Sequence, residues 1–205
     1  MPGRRTTKMN GTIICFGDSN TYGFDPTDFF ESRFPEDKCW TGILNDQTPY
    51  LFENYGVCGR AIPYSDYQIS YVCNQIARWS EKPSPVFLWI MLGTNDLLQY
   101  ADTSAKAVAD TMEYFLTRLM QTPAINSSTV KLRLISPPPL RSGEWTDARS
   151  ISESEKLEGH YSALAKKLGI DFTGTAGWDI PLIYDGVHFT LEGHKKFAEE
   201  MIKFL

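Results

Sequence analysis

Ser19 follows directly on the apolar run Thr12–Phe16, inside the segment Gly17-Asp18-Ser19-Asn20-Thr21. A serine just past a strand end can present its hydroxyl at the top of a sheet, with its own backbone N–H turned toward a bound substrate. It becomes a nucleophile only when a neighbouring base takes its proton. Standing alone, Asp18, Ser19 and Asn20 are also ordinary turn and cap residues.

The choice of base is narrow, because the chain has three histidines. His160 lies in a stretch of helical period between Gly159 and Tyr161, which suggests a structural or solvent-facing role. His194 stands beside Lys195 and Lys196, a solvated context. His188 belongs to the loop Tyr184-Asp185-Gly186-Val187-His188-Phe189, with a carboxylate three residues earlier. In a turn, Asp185 can reach the imidazole Nδ1–H, fix its tautomer and stabilise the imidazolium formed during attack. Asp179 is a competing carboxylate farther back along the chain.

Acyl transfer also needs hydrogen-bond donors for the oxyanion that develops. Gly59, after the run Leu51–Tyr55, lets backbone approach a ligand closely and aim an N–H at it. Asn95, in Gly93-Thr94-Asn95-Asp96 after the run Val86–Leu92, offers a side-chain amide. The plainer alternatives are a turn glycine and a helix-capping asparagine.

These residues need a frame. Five short apolar runs end at turn signals and read as buried strands: Thr12–Phe16, Leu51–Tyr55, Val86–Leu92, Val130–Ile135 and Ile170–Phe172. The unbroken apolar character of Val86–Leu92 implies that both sheet faces are covered. Helical spacing predicts helices over Asp66–Trp79 (with Tyr67, Tyr71, Ile76 and Trp79 inward), Thr103–Met120, Ser152–Leu168 and Leu191–Phe204. Alternating strands and helices give a parallel sheet in a three-layer α/β/α domain over residues 11–205. Ligands of such sheets bind outside the carboxyl ends of the strands, which is where Ser19, Gly59 and Asn95 are expected.

Composition narrows the partners. A net charge of -5 over 205 residues argues against nucleic acid or an anionic membrane surface. The one basic cluster, Arg4, Arg5 and Lys8, falls in a flexible arm expected over residues 1–10. No apolar segment behind Met1–Asn10 reads as a secretory signal, and Val86–Leu92 is too short to span a bilayer. Cys15, Cys39, Cys58 and Cys73 show no paired spacing. They read as reduced thiols of a cytoplasmic protein, with Cys58 a small buried one. No short His or Cys pairing suits a zinc site.

Serine, glycine, asparagine and the Asp/His pair occur in that order. The sequence therefore resembles the SGNH (GDSL-type) hydrolases: GDSNT at Gly17–Thr21 matches the first block, Gly59 the second, GTND at Gly93–Asp96 the third and DGVH at Asp185–His188 the last. CFGDSNTYGF, CWTGIL, IMLGTNDL, SPPPL and DGVHFT are similar to segments of bacterial arylesterases and acetyl-ester hydrolases. The resemblance implies a flavodoxin-like sheet of order 2-1-3-4-5 and a serine esterase of short acyl chains, with no metal or organic cofactor. It makes Ser19 the nucleophile, His188 the base and Asp185 its orienting carboxylate, with Ser19, Gly59 and Asn95 forming the oxyanion hole. Homo-oligomers are frequent in such relatives. Asn20 replaces the leucine of the GDSL name, and Tyr22 stands where close relatives carry tryptophan; both are expected beside the substrate. Two alternatives are a carbohydrate O-deacetylase, with Tyr22 and Tyr184 as stacking rings, and a non-catalytic flavin- or phosphate-binding module. The GxSxG elbow of the α/β-hydrolases is absent.

Overall fold

The structure is a computed structural model and describes residues 10–28 and 33–205. The expected arm therefore lies outside the described residues, apart from Asn10. All five expected strands form, each within a residue of its expected limits: β1 Thr12–Gly17, β2 Leu51–Gly56, β3 Val86–Met91, β4 Val130–Ile135 and β5 Asp171–Thr173. They pair in parallel in the order β2-β1-β3-β4-β5.

β1 is buried along its whole length, and its alternating side chains feed two separate cores, as a strand between helix layers must. Ile14 and Phe16 pack with Leu88, Ile90 and Leu134 against one helix layer. That layer is α3 Asp66–Trp79, α5 Ala105–Met120 and α7 Ala148–Leu168. Ile13 and Cys15 pack on the other face with Trp89, Met91 and Ile135. There they meet α2 Trp40–Gln47 and α8 Leu191–Met201, the latter continued by a 3-10 turn at Ile202–Phe204. Three further short helices, α1 Ser19–Tyr22, α4 Thr94–Gln99 and α6 Pro123–Asn126, fill connections that showed no helical period.

Helix ends follow local chemistry. Ser65 and Gln68 make a reciprocal capping box at α3, and Asp147 and Ser150 do the same at α7. The Asp147 cap explains why α7 starts four residues before the expected Ser152. Two details depart from the sequence reading. The inward face of α3 is Ile69, Val72, Ile76 and Trp79, whereas Tyr67 and Tyr71 are exposed. His194 is buried on α8 in line with Phe197, Ala198 and Met201, and its Nδ1 accepts the Trp40 backbone N–H at 3.3 Å. The lysines beside it leave the helix on other faces, so a charged neighbourhood in sequence did not mean a solvated histidine.

In the sheet register Gly17 lies level with Gly56 on one side and Met91 on the other. The loops leaving β2, β1 and β3 therefore start at one height, about 4.8 Å apart from strand to strand.

Candidate active site

Ser19 opens α1, with Asp18 as its cap; the Asp18 Oδ1 accepts the Asn20 N–H at 3.0 Å. As the first helical residue, Ser19 keeps a backbone N–H without an intrahelical acceptor. Its Oγ lies 2.9 Å from His188 Nε2, although the two residues are 169 positions apart in sequence. His188 Nδ1 lies 2.7 Å from Asp185 Oδ2, and Asp185 Oδ1 accepts the N–H groups of Val187 and His188 at 2.8 and 2.9 Å. Ser19, His188 and Asp185 are all buried. The competing Asp179 is turned away, paired with exposed Arg141 at 3.0 Å.

Asn20 joins the two halves of this arrangement. Its Nδ2 donates to the Val187 carbonyl at 3.0 Å and its Oδ1 accepts the Phe189 N–H at 2.9 Å. The residues on either side of His188 are thus tied to the residue after Ser19. Each end of the Asn20 amide thus holds one backbone group of the histidine loop. Tyr22 carries the Arg33 guanidinium over its ring at 4.7 Å and is half-buried.

The candidate oxyanion donors sit across the strand ends. Gly59 is exposed and has a φ of 73°, a left-handed value that favours glycine. α4 clamps its loop at three points. Asn95 Nδ2 donates to the Arg60 carbonyl at 3.1 Å, Gln99 Nε2 to the Gly59 carbonyl at 3.1 Å, and Asp96 accepts the Ile62 N–H at 3.2 Å. One amide hydrogen of Asn95 is thereby used and the other has no acceptor among the described residues. Arg60 fastens the same loop downward, with Nη1 donating to the Gly17 carbonyl at 2.9 Å and to the Tyr55 carbonyl, and its guanidinium 4.1 Å from the Phe16 ring centroid.

Two carboxyls lie buried under these loops. Burial pushes Asp18 up to about 7, opposed by its bond from Asn20 N–H and helped by the charge of Asp96; the Asp18 Oδ2 has no hydrogen-bond partner among the described residues. Burial likewise lifts Asp96 to about 6, against the Ile62 N–H bond. On the far side, burial and then the charge of His188 lower His194 to about 4. Among the described residues no group of three or more His, Cys, Asp or Glu side chains is placed to hold a metal ion. No described helix is long and apolar enough to cross a membrane. Cys58, expected to be buried, is exposed next to Gly59 because the loop projects past the strand end.

Residues 15–196 match the model of the GDSL-like lipase/acylhydrolase family. The chain belongs to that family. It is a carboxylic ester hydrolase of the GDSL type, and the sheet order that this kinship implied is the one found. No curated protein matches it in sequence. Among solved structures it is similar to an aryl esterase of M. smegmatis, with 26% identity, a TM-score of 0.76 and coverage of 95% of this chain and 100% of that one. A carbohydrate acetylesterase of Sinorhizobium meliloti shares the fold at 23% identity, TM-score 0.76, covering 96% and 100%. A lipolytic G-D-S-L family protein of Veillonella parvula does so at 19% identity, TM-score 0.67, covering 94% and 97%.

Sequence reasoning missed several residues around the site of this GDSL hydrolase. Phe24 and Trp145 place their rings 4.8 and 5.2 Å from the His188 imidazole. Neither has a sequence signal beyond being aromatic in a polar loop. The clamps by Gln99 and Arg60 also carry no local signature, since each joins segments far apart in the chain.

Proposed function

We propose that this GDSL hydrolase is a serine esterase of short-chain carboxylic esters, working through Ser19, His188 and Asp185 and an acyl-enzyme. The observation that carries the reading is the buried chain of contacts, 2.9 Å from Ser19 Oγ to His188 Nε2 and 2.7 Å from His188 Nδ1 to Asp185 Oδ2. Ser19 Oγ attacks the ester carbonyl while His188 takes its proton, and Asp185 stabilises the imidazolium. The N–H groups of Ser19 and Gly59 and the second amide hydrogen of Asn95 bind the oxyanion. His188 then protonates the departing alcohol, and water repeats the sequence to release the acid. The likeness to a carbohydrate acetylesterase supports a small acyl group.

The test is hydrolysis of p-nitrophenyl acetate, butyrate and octanoate by wild type and Ser19→Ala. Acetate should be the best substrate, and kcat should fall by about 10³-fold or more in the variant, because members of such a unit act together. Most of the activity surviving in folded Ser19→Ala protein overturns the assignment.

A further inference from the structure

On the reading just given, His188 hands its proton to the leaving oxygen, so the alcohol part of the ester lies beside the imidazole. Two aromatic rings stand there. Phe24 lies at 4.8 Å from the imidazole and Trp145 at 5.2 Å with its plane at 87°, the two rings being 6.5 Å from each other. Phe24 is half-buried. Trp145 is 53% exposed, whereas Trp40, Trp79 and Trp89 are core residues. Core packing does not account for an indole left half in water at the edge of a reaction centre.

The backbone that carries it is nonetheless anchored. The Trp145 N–H donates to the Asp185 carbonyl at 3.1 Å, the Glu144 N–H to the Tyr184 carbonyl at 3.3 Å and the Arg141 N–H to the Gly186 carbonyl at 3.0 Å. Gly143 lies so close to this turn that a Cβ on it would meet the Asp185 carbonyl carbon at 2.2 Å. Thr146 closes the loop, its hydroxyl accepting the Gly143 N–H at 2.9 Å and donating to the Arg141 carbonyl at 2.7 Å. The indole therefore rides on the same rigid turn that carries Asp185 and His188, and Tyr184, 57% exposed, belongs to that turn as well.

We propose that Trp145 determines specificity: it is a stacking platform for the leaving alcohol, and it selects esters whose alcohol oxygen is borne by a six-membered ring over those of open-chain alcohols. The shared chemistry is a ring with a flat apolar face. A phenol ring meets the indole by offset stacking, and a pyranose by its C–H face. A preorganised platform keeps the ordering cost of the bound ring low.

The experiment compares wild type, Trp145→Ala and Trp145→Phe on phenyl acetate, an O-acetylated methyl glucopyranoside and ethyl acetate. In Trp145→Ala the ratio of kcat/KM for a ring ester to that for ethyl acetate should fall about tenfold, a stacking contact of about 1.4 kcal/mol, and Trp145→Phe should restore much of it. A fall confined to one ring ester assigns the platform to that ring. Unchanged ratios, whether all rates drop together or none does, overturn the proposal. A binding titration of phenyl acetate and the glucopyranoside into Ser19→Ala, with and without Trp145→Ala, separates this from the fate of Ser19. Weaker binding with the second substitution supports the platform even where Ser19→Ala still hydrolyses esters, and equal binding refutes it.

Discussion

Replacing Asn20 by leucine would restore the residue for which GDSL enzymes are named, and the structure says the change should be harmful. Asn20 is 5% exposed, and its amide satisfies the Val187 carbonyl and the Phe189 N–H. Leucine fits the volume but leaves both backbone groups buried and unpaired, at about 1–3 kcal/mol each. A total near 3 kcal/mol allows for some relaxation, and in a domain of this size each kcal/mol lowers Tm by about 2–4 °C. His188 lies between the two freed residues, so its Nε2 also drifts from Ser19 Oγ. A shift of ~1 Å costs about 10²-fold in rate, so kcat should drop by about 10–100-fold with KM changed much less. Urea unfolding and p-nitrophenyl acetate kinetics on one preparation read both effects. Asn20→Asp is a useful companion, since it keeps the acceptor for Phe189 but, once ionised, repels the Val187 carbonyl; its stability deficit should shrink as the pH is lowered. Wild-type Tm and wild-type kcat in Asn20→Leu would refute the bracing role.

Two further outcomes concern pH. His194 is held neutral by burial, at about 4 against a usual 6.5, so the unfolded chain takes up a proton that the folded one refuses between those values. Stability is therefore lost as pH falls from 6.5 toward 4, by about 3 kcal/mol at the limit; urea unfolding should show wild type losing that much more than His194→Gln, and parallel curves would count against it. Asp18 runs the other way. Its folded carboxyl holds a proton up to about 7, so raising the pH from 5 to 7 should cost the wild type about 2 kcal/mol relative to Asp18→Asn. Equal pH slopes in the two proteins would mean that the carboxyl is hydrated.

Much of this was legible in the sequence because it is local. Strands announced themselves as apolar runs, and a parallel sheet puts polar residues that follow such runs at one edge, which brought Ser19, Gly59 and Asn95 to notice. Asp185 and His188 lie close enough in sequence for a single turn to join them. What could not be read was pairing between distant segments. No local pattern says that Asn20 will hold Val187 and Phe189, that Gln99 will hold Gly59, or that the loop around Trp145 will be strapped to Asp185. Two errors were avoidable. His194 shares a helical stripe with Phe197, Ala198 and Met201, and the period outranks its lysine neighbours. On α3 the spacing of Ile69, Val72, Ile76 and Trp79 defines an inward face with no place for Tyr67 or Tyr71.

The separation of 169 positions from Ser19 to His188 has a consequence for how activity is born. During synthesis the serine turn leaves the ribosome with the first strand, but the proposed base arrives only after all five strands have been made. The serine therefore spends translation unactivated. On the proposed mechanism, esterase turnover needs both segments in one folded domain, so a chain stalled before His188 should stay chemically silent.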